Sequence, residues 1–380
     1  MRHLLAIACL VSAFLIGCGS SNPSQTQQLD GSTTSDSTLG TDVADDAANW
    51  DTLADAIGGA DTNGTEPDTN GTEPDANGTE DANVTPDVAI GPDANSQKTI
   101  ETVFVILLEN HDWSEIKDSD SAPYINKTLL PIGAHAEQYK NPTDLHPSEP
   151  NYIWLEAGDN LGITDDKDPG SHHLSTTDHL VTQLVNAGFT WKVYAEGISG
   201  DDCPLVSSGL YGAKHVPQLY FDDVTDNNSS SSQYCIDHVR PFSELESDLA
   251  NNKVADYNFL VPDLCNDMHG GFNTTCPYVI SDLVKIGDTW LSKQVPKILD
   301  SDVFKASGVL FIVADEGSNS ISDGPIPFIA LGTNVKPGYA GNVYYDHSSL
   351  LRSIETIFGL PYLRAAKTAT DISDLFTKFP

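Results

Sequence analysis

Three apolar runs in this sequence end in side chains that carry oxygen ligands. The runs VFVILL, YNFLVP and GVLFIVA have the composition of strands buried on both faces of a sheet. Ligands of open α/β sheets bind beyond the carboxyl ends of the strands. We therefore expect the side chains that follow these runs to meet at one edge of a sheet. They are Glu109, Asn110, Asp263, Asp315 and Glu316.

Crowded carboxylates repel one another unless a proton or a cation intervenes. Asp267, His269 and His347 lie in segments that could reach the same edge. Carboxylate and amide oxygens suit Mg²⁺, Ca²⁺ or Mn²⁺, whereas added imidazoles shift the preference toward Zn²⁺. We therefore expect one or more divalent cations here, with Mg²⁺, Ca²⁺, Mn²⁺ and Zn²⁺ as the candidates. For any single acidic residue, the alternative is a helix cap or a solvated turn.

A metal site that does covalent chemistry also needs a nucleophile, and the segment TDLHPSEPNYIWLEAG supplies a candidate in Ser148. Pro147 and Pro150 restrict the backbone around this serine. A rigid surface loop explains the same pattern, and both interpretations remain open on these residues alone. The sequence contains no GxSxG, HExxH or GxxxxGK[ST] motif, and no GxGxxG follows the first strand.

Strand and helix patterns alternate along the chain from residue 98. This alternation predicts an α/β fold with a mostly parallel sheet and helices on both faces. A kink or break is expected at Pro296. The predicted strands are 102–108, 191–196, 257–261, 308–314 and 327–331, and the predicted helices are 178–186, 243–251, 289–299 and 348–358.

The first 18 residues have the layout of a secretory signal peptide, with Arg2, an apolar run and then Gly17 and Cys18. The end of this segment resembles a bacterial lipobox, which predicts acylation of Cys18 and anchoring to a lipid bilayer. The protein would then be extracytoplasmic, on the outer membrane or the cell surface. An ordinary signal peptide or a short transmembrane span is the alternative, although the apolar run is short for a span.

Residues 19–97 have the composition of a disordered acidic tether. They hold 16 Asp and Glu, no Lys or Arg, and a seven-residue repeat related to DTNGTEP. Residues 98–380 carry the remaining 39 acidic and 18 basic residues, a formal charge of about −21. We therefore expect no non-specific binding to nucleic acid.

The cysteines fit an exported protein. Beyond Cys9 and Cys18, four remain, an even number, and three pairings are possible. We expect the two local closures, Cys203–Cys235 and Cys265–Cys276. Thiolate metal ligation is the alternative, but the sequence contains no CxxC.

Several segments together resemble a known family. They are VILLENHDW, HPSEPNYIWLEAGDN, WKVYAEG, YGAKHVPQLYFDD, VPDLCNDMHGG, LFIVADEG and YYDHSSLLRSIETIFGLP. In this order, over roughly residues 100–375, they resemble the phosphoesterase family of bacterial acid phosphatases and phospholipases C, within the alkaline phosphatase superfamily. The resemblance implies an alkaline-phosphatase-like α/β/α sandwich, with residues 98–380 as the catalytic domain and a serine nucleophile in a metal site.

The resemblance also implies roles for individual residues. Ser148 lies in SEPNY, which is similar to the TFPNH nucleophile stretch of superfamily phosphodiesterases. The segment from Asp263 to His269 is similar to their PDxxGH stretch, with Asp267 where that stretch has histidine. The implied metal ligands are Glu109, Asn110, Asp315 and Glu316, with Asp263 and Asp267 as further candidates. His347 matches a late histidine of the family, His215 matches a recurrent position, and His111 would line the pocket.

These observations predict a lipid-anchored, metal-dependent phosphoesterase. An acid phosphatase that cleaves phosphomonoesters through a phosphoserine is the favoured form, with His269 or His347 protonating the leaving oxygen. The alternatives are a phospholipase C or another phosphodiesterase, and a surface lipoprotein that binds without catalysis. A sulfatase is disfavoured because no C-x-P-x-R motif is present.

Overall fold

The structure is a computed structural model that describes residues 99–271, 276, 281–318 and 324–380. Eight strands form one sheet: β1 (Thr102–Leu108), β2 (Ala134–Lys140), β3 (Trp191–Ala195), β4 (Val239–Pro241), β5 (Tyr257–Val261), β6 (Gly308–Ala314), β7 (Phe328–Gly332) and β8 (Tyr339–Asp346). Their order across the sheet is β4-β3-β5-β1-β6-β7-β2-β8. Strand β7 runs antiparallel to β6 and β2, and the other neighbouring strands are parallel. The predicted mostly parallel α/β sheet is confirmed.

The described residues form eleven α-helices. They are α1 (Trp113–Ile116), α2 (Leu130–Ile132), α3 (Ser148–Ala157), α4 (Pro169–His172), α5 (Leu180–Asn186), α6 (Asp222–Thr225), α7 (Gln233–His238), α8 (Glu244–Ala250), α9 (Leu283–Asp300), α10 (Asp302–Ser307) and α11 (His347–Phe358). One π-helical segment (Ile125–Leu129) and 3₁₀ turns at Ala213–His215, Pro217–Tyr220, Arg364–Lys367 and Ser373–Leu375 complete the set.

The centre of the sheet brings the predicted strand ends together. Every residue of β1, β5 and β6 is buried, so both faces of the sheet are covered here. Strands β1 and β6 are parallel neighbours in a register that pairs Leu108 with Ala314. The backbone N–H of Asp315 donates to the carbonyl oxygen of Leu108 at 3.0 Å. The residues that follow the two strands therefore leave the sheet at the same level.

The edges of the sheet depart from the sequence expectation. Strands β2, β4 and β8 were not predicted, because their sequences AHAEQYK, VRP and YAGNVYYD lack long apolar runs. Helix α9 begins at Leu283, six residues before the predicted start, because the side chain of Asp282 accepts a hydrogen bond from the Lys285 N–H. Pro296 lies inside this helix without ending it.

Two disulfides, Cys203–Cys235 and Cys265–Cys276, join the predicted pairs. Disulfides persist in oxidising compartments, so they indicate an extracytoplasmic protein. Across the portion of the chain that the structure describes, no helix is long and apolar enough to cross a bilayer. The predicted signal peptide, Cys18 and the tether lie outside the described residues.

Candidate active site

Ser148 is the first residue of helix α3, which begins directly after Pro147. Pro150 fits in the first turn of this helix, where a backbone N–H has no partner within the helix. Reciprocal hydrogen bonds hold the turn. The Glu149 N–H donates to Asp166 Oδ1 at 2.9 Å, and the Lys167 N–H donates to Glu149 Oε2 at 2.8 Å. The serine is therefore fixed at a helix N-terminus.

The Ser148 hydroxyl is directed at a buried carboxylate. Its Oγ donates to Glu109 Oε2 at 2.9 Å, and Asn110 Nδ2 donates to the same oxygen at 3.0 Å. The other oxygen of Glu109 accepts from the Tyr152 hydroxyl at 2.5 Å. Glu109 is fully buried, and Ser148 is buried beside it. The end of β1 and the start of α3 are thus joined through one carboxylate.

Asp315 and Asp267 complete this group of acidic side chains. Asp315 Oδ1 accepts from the N–H groups of Asn110 at 3.1 Å and Glu316 at 2.7 Å. Asp267 Oδ1 accepts from the His269 N–H at 2.8 Å. The second oxygen of each aspartate, Oδ2, is buried and accepts no hydrogen bond from the part of the chain described. We call Glu109, Ser148, Asp267 and Asp315 the Ser148 cluster.

The pKa values of these carboxyl groups are raised. Burial raises the pKa of Glu109 to about 7, although the charge of Lys214 and the hydrogen bond from Tyr152 lower it. Burial, and then the negative charge of Glu109, raise the pKa values of Asp267 and Asp315 well above the ordinary range. Two buried oxygens without a donor, among carboxyl groups that resist joint ionisation, fit a divalent cation with oxygen ligands.

His215 lies between two members of the Ser148 cluster. Its Nε2 is 3.1 Å from Glu109 Oε1, and its Nδ1 is 3.3 Å from Asp267 Oδ2. The ring stacks on Tyr152 with 4.9 Å between centroids and 5° between planes. Burial, and then the charge of Lys214, lower the pKa of His215 well below its usual value. The imidazole is therefore neutral at this position.

The other two candidate histidines of the site differ in their surroundings. His347 is fully buried: its Nε2 donates to the Asp315 carbonyl oxygen at 2.6 Å, and its Nδ1 accepts from the Tyr139 hydroxyl at 3.1 Å. Burial lowers the pKa of His347 to about 4. His269 is half-buried, and its Nδ1 donates to the Gly270 carbonyl oxygen at 2.5 Å. Its ring lies 6.1 Å from that of His215.

Three further candidates also contact residues outside the Ser148 cluster. Asp263 Oδ1 accepts from the N–H groups of Cys265 at 3.0 Å and Asn266 at 2.9 Å, which closes the turn leading to Asp267. Glu316 Oε2 accepts from Asn151 Nδ2 at 2.9 Å and lies 2.9 Å from His146 Nδ1. His111 is half-buried, 3.5 Å from Glu115 at the start of α1.

A second group near Ser148 was not anticipated from the sequence. Donor atoms of Glu149, Asp165 and His172 lie within 4.8 Å of one another and could hold a metal ion. His172 Nδ1 is 2.8 Å from Glu149 Oε1, and its Nε2 is 2.9 Å from Asp165 Oδ1. Both ring nitrogens thus face a carboxylate, and the group braces the start of α3. No local sequence pattern marks the group.

Lys214 and Asp166 were also missed. The Lys214 ammonium forms an ion pair with Asp166 Oδ2, next to the start of α3. The one available signal was the position of Lys214 beside His215 in the KHVP segment.

Comparisons with known proteins agree with the geometry. The Phosphoesterase family model matches residues 136–361, more than half of the chain. A phosphatidylinositol-3-phosphatase of Mycobacterium tuberculosis is 29% identical over 287 residues, covering 76% of this chain and 86% of that protein. A probable acid phosphatase of Kluyveromyces lactis is 26% identical over 271 residues, covering 68% of this chain and 58% of that protein. The chain thus spans somewhat over half the length of this second relative.

Among solved structures, an alkaline phosphatase superfamily protein from Vibrio parahaemolyticus aligns with a TM-score of 0.48 at 11% identity. The alignment covers 73% of this chain and 72% of that one.

Proposed function

This chain belongs to the phosphoesterase family, and on that premise we propose that it is an acid-phosphatase-type phosphomonoesterase that uses Ser148 as its nucleophile. Family membership makes it a hydrolase of phosphate ester bonds. Both relatives quoted above are named as phosphatases, which supports action on monoesters. The observation that carries the proposal is the 2.9 Å hydrogen bond from Ser148 Oγ to Glu109 at a helix N-terminus, beside two aspartates whose Oδ2 atoms accept no hydrogen bond in the described part of the chain.

We propose that Glu109, Asn110, Asp315 and Glu316 hold a divalent cation. A bound cation would lower the pKa of the Ser148 hydroxyl and offset charge on the phosphoryl oxygens. The donorless Oδ2 of Asp315 supports this assignment. Of the further ligand candidates, Asp267 lies in the Ser148 cluster, whereas Asp263 closes the turn that carries Asp267.

In the first step Ser148 Oγ attacks phosphorus as its proton passes toward Glu109, and the bond from phosphorus to the ester oxygen breaks. Ser148 lies at the N-terminus of α3, where the positive end of the helix dipole would favour the developing negative charge. The alcohol leaves with a proton. In the second step water attacks the phosphoserine, inorganic phosphate is released, and Ser148 Oγ regains its proton.

Burial favours His269 over His347 as the proton donor to the leaving oxygen, because His269 is half-buried whereas His347 is fully buried. His269 Nδ1 donates to a carbonyl oxygen, so the proton that the imidazolium form transfers would be the one on Nε2. In His347 both ring nitrogens are engaged within the buried core, next to the Asp315 backbone and the Tyr139 hydroxyl. We propose that His347 positions the backbone at Asp315.

The phosphoserine is tested by acid quench during turnover of a ³²P-labelled phosphomonoester. We expect label on Ser148 in the wild type, and none in Ser148→Ala. The variant should unfold at the wild-type temperature and lose at least ~10³ in kcat, or about 4 kcal/mol of barrier. Transfer of a chiral phosphoryl group to an alcohol should retain configuration, since two displacements occur. Inversion, or near-normal turnover by Ser148→Ala, would refute the nucleophile.

Substrate class and metal dependence need a separate panel. Phosphomonoesters, phosphodiesters and phosphatidylcholine are assayed with and without chelator. We expect fastest turnover of monoesters and loss of activity with chelator that a divalent cation restores. Faster cleavage of phosphatidylcholine or diesters would instead establish the phospholipase C or phosphodiesterase alternative.

We further propose that the enzyme is exported and anchored by acylated Cys18 through the acidic tether 19–97. The two disulfides support the extracytoplasmic location. Cys18→Ser should move the protein from the membrane fraction to the soluble fraction. Cys9→Ser, a matched change within the same leader, should leave it membrane-bound. Membrane retention of Cys18→Ser would exclude the anchor.

A further inference from the structure

Lys214 is in an unusual place for a lysine. Among the Lys and Arg residues that the structure describes, it alone is buried, with 9% of its side chain exposed. Removing an ammonium from water is costly unless partners compensate for the lost hydration. Lysine rarely occupies such positions. The burial of Lys214 therefore indicates a specific role, which depends on its neighbours.

The ammonium of Lys214 lies beside the start of α3. It forms an ion pair with one oxygen of Asp166, and the other oxygen of Asp166 accepts the Glu149 N–H at 2.9 Å. Glu149 directly follows Ser148. The side chain of Asp166 is 24% exposed, whereas Ser148 and Glu109 are buried. The ion pair thus has one buried and one partly exposed member, and its ammonium is close enough to Glu109 and Asp315 to interact with their charges.

The negative charge at this site requires a positively charged group that keeps its charge at neutral pH. Glu109, Asp267, Asp315 and Glu316 supply four carboxyl groups, and a phosphomonoester adds up to two negative charges. One divalent cation offsets only part of this total. Lysine keeps its charge at neutral pH, and its flexible stem carries three donors.

We propose that Lys214 is a substrate-binding residue that exchanges Asp166 for a phosphoryl oxygen when a phosphate ester is seated at Ser148. Asp166 holds the ammonium in place between turnovers. In the transition state the ammonium would stabilise negative charge on an equatorial oxygen. The inference rests on the proposed phosphatase function and adds a residue to it.

The competing explanation is purely structural: Lys214 would only support Asp166, which caps α3. Three variants of the full chain separate the two explanations. Lys214→Met removes the charge, Lys214→Arg keeps it, and Asp166→Asn removes the carboxylate while keeping the lysine. Each is compared with the wild type for thermal unfolding, p-nitrophenyl phosphate turnover and inhibition by inorganic phosphate, with a divalent cation present.

If Lys214 binds phosphate, Lys214→Met should lower kcat/KM by about 10²–10³, the usual effect of losing one charge-stabilising donor. The inhibition constant for inorganic phosphate should rise with it, and Lys214→Arg should restore part of both. Asp166→Asn should stay within about tenfold of wild type in kcat/KM, because its ammonium remains. Should Lys214→Met fail to fold, Lys214→Gln, which can still donate to Asp166, carries the same comparison.

Equal losses in Asp166→Asn and Lys214→Met, with matching drops in unfolding temperature, would overturn the inference in favour of the structural role. Normal phosphate inhibition and turnover in Lys214→Met would overturn it as well. The proposed function fails separately: in that case the wild type itself would neither hydrolyse the ester nor bind inorganic phosphate.

Discussion

Each end of helix α3 carries an acidic cluster built on a buried glutamate, and the two clusters differ in how completely their carboxylate oxygens are hydrogen-bonded. At the C-terminal end, Glu156 contacts His179, which also contacts Asp223, and we call these three residues the His179 cluster. His179 Nδ1 is 2.9 Å from Glu156 Oε1, and its Nε2 is 3.1 Å from Asp223 Oδ1. Gln218 Nε2 donates to Glu156 Oε2 at 3.0 Å, and the Thr182 hydroxyl donates to Asp223 Oδ2 at 2.7 Å. All four carboxylate oxygens have a partner.

At the N-terminal end, every member of the Ser148 cluster is buried, but the hydrogen-bonding capacity of its carboxyl groups is incompletely satisfied. Asp267 Oδ2 and Asp315 Oδ2 accept no hydrogen bond within the described chain. Native proteins rarely leave buried oxygens in this state without a reason such as an ion or a catalytic role. Burial of charge alone therefore does not mark a site, whereas two carboxylate oxygens without donors in one cluster point to one. The Ser148 cluster should therefore serve catalysis, and the His179 cluster should serve stability.

The largest expected effect comes from Glu109→Gln. The amide removes a carboxylate ligand, so the affinity for a divalent cation should fall by at least ~100-fold and turnover with it. The free energy of unfolding should stay level or rise, because a buried charge is gone. Calorimetric metal titration, kcat and urea unfolding measure the three quantities.

Glu149→Gln is the matched control for Glu109→Gln, since it alters the other candidate metal group. It should keep metal affinity close to the wild-type value. If Glu149→Gln loses the metal and Glu109→Gln keeps it, the cation belongs to Glu149, Asp165 and His172, and the metal assignment in the Ser148 cluster is wrong.

Glu156→Gln should give the opposite pattern. It leaves His179 and Gln218 facing an amide, and breaking a buried ion pair typically costs about 3 kcal/mol or more of unfolding free energy. Turnover per folded molecule should remain near wild type, because Glu156 lies at the far end of α3. Urea unfolding and active-site titration provide the measurements. Loss of kcat at unchanged stability would show that Glu156 serves catalysis rather than stability.

The His179 cluster should also give a pH-dependent contribution to stability. Burial lowers the pKa of His179, but hydrogen bonds to Asp223 and Glu156 outweigh it, and the pKa is raised overall. The stabilisation is therefore complete below the unfolded pKa of about 6.5. It is lost as the pH rises through the folded pKa, by at most about 1.4 kcal/mol per pH unit.

His179→Gln removes this titration. The difference in unfolding free energy between wild type and variant should be largest near pH 5 and should shrink toward pH 9. Phe221→Leu, which loses the stacking contact with the imidazole but leaves its proton partners, should show a constant difference instead. A pH-independent difference for His179→Gln would mean that His179 contributes only packing.

Glu355 in α11 is expected to have the smallest effect on metal binding and turnover. It tests whether a single oxygen without a donor marks a catalytic site. It is fully buried, its Oε1 accepts from the Leu363 N–H at 2.7 Å, and its Oε2 accepts no hydrogen bond in the chain as described. Burial raises its pKa to about 8, so a proton, rather than a metal, neutralises it at pH 7. Its stabilising contribution is complete below the unfolded pKa and is lost as the pH rises through about 8.

Glu355→Gln should leave metal affinity and turnover unchanged. At pH 8 it should raise the free energy of unfolding, because the amide does not ionise and so no charge has to be buried. Near pH 4 it should match the wild type. Loss of metal binding in this variant would give Glu355 a role in holding the cation and would contradict its neutralisation by a proton.

The sequence predicted the centre of this molecule better than its surroundings. Strands buried on both faces are continuous apolar runs, so β1, β5 and β6 and the residues that follow them could be located. The disulfides followed from chain proximity and number. The edge strands β2 and β8 carry mixed, polar sequences, and no single-sequence pattern marks them.

Contacts between distant loops were beyond prediction. From the sequence alone, Ser148 could be either a nucleophile or part of a rigid loop. Its place at a helix N-terminus depends on Asp166, 18 residues further on. The roles of Lys214 and His179 depend on partners that are distant in sequence and that the fold brings close. Their local sequence patterns resemble those of ordinary loops and helix starts.

The hydrogen bond from the Asn110 N–H to Asp315 spans 205 residues of chain, and it implies an order of assembly. Strand β1 comes first in the described chain, yet it pairs on one side with β5 and on the other with β6. Until those later segments arrive, β1 is an apolar strand with two open edges, the type of segment that aggregates in incompletely folded chains. Such long-range pairing makes folding slow. Recovered enzyme activity during refolding should therefore lag behind the return of helical structure and report the last step of sheet closure.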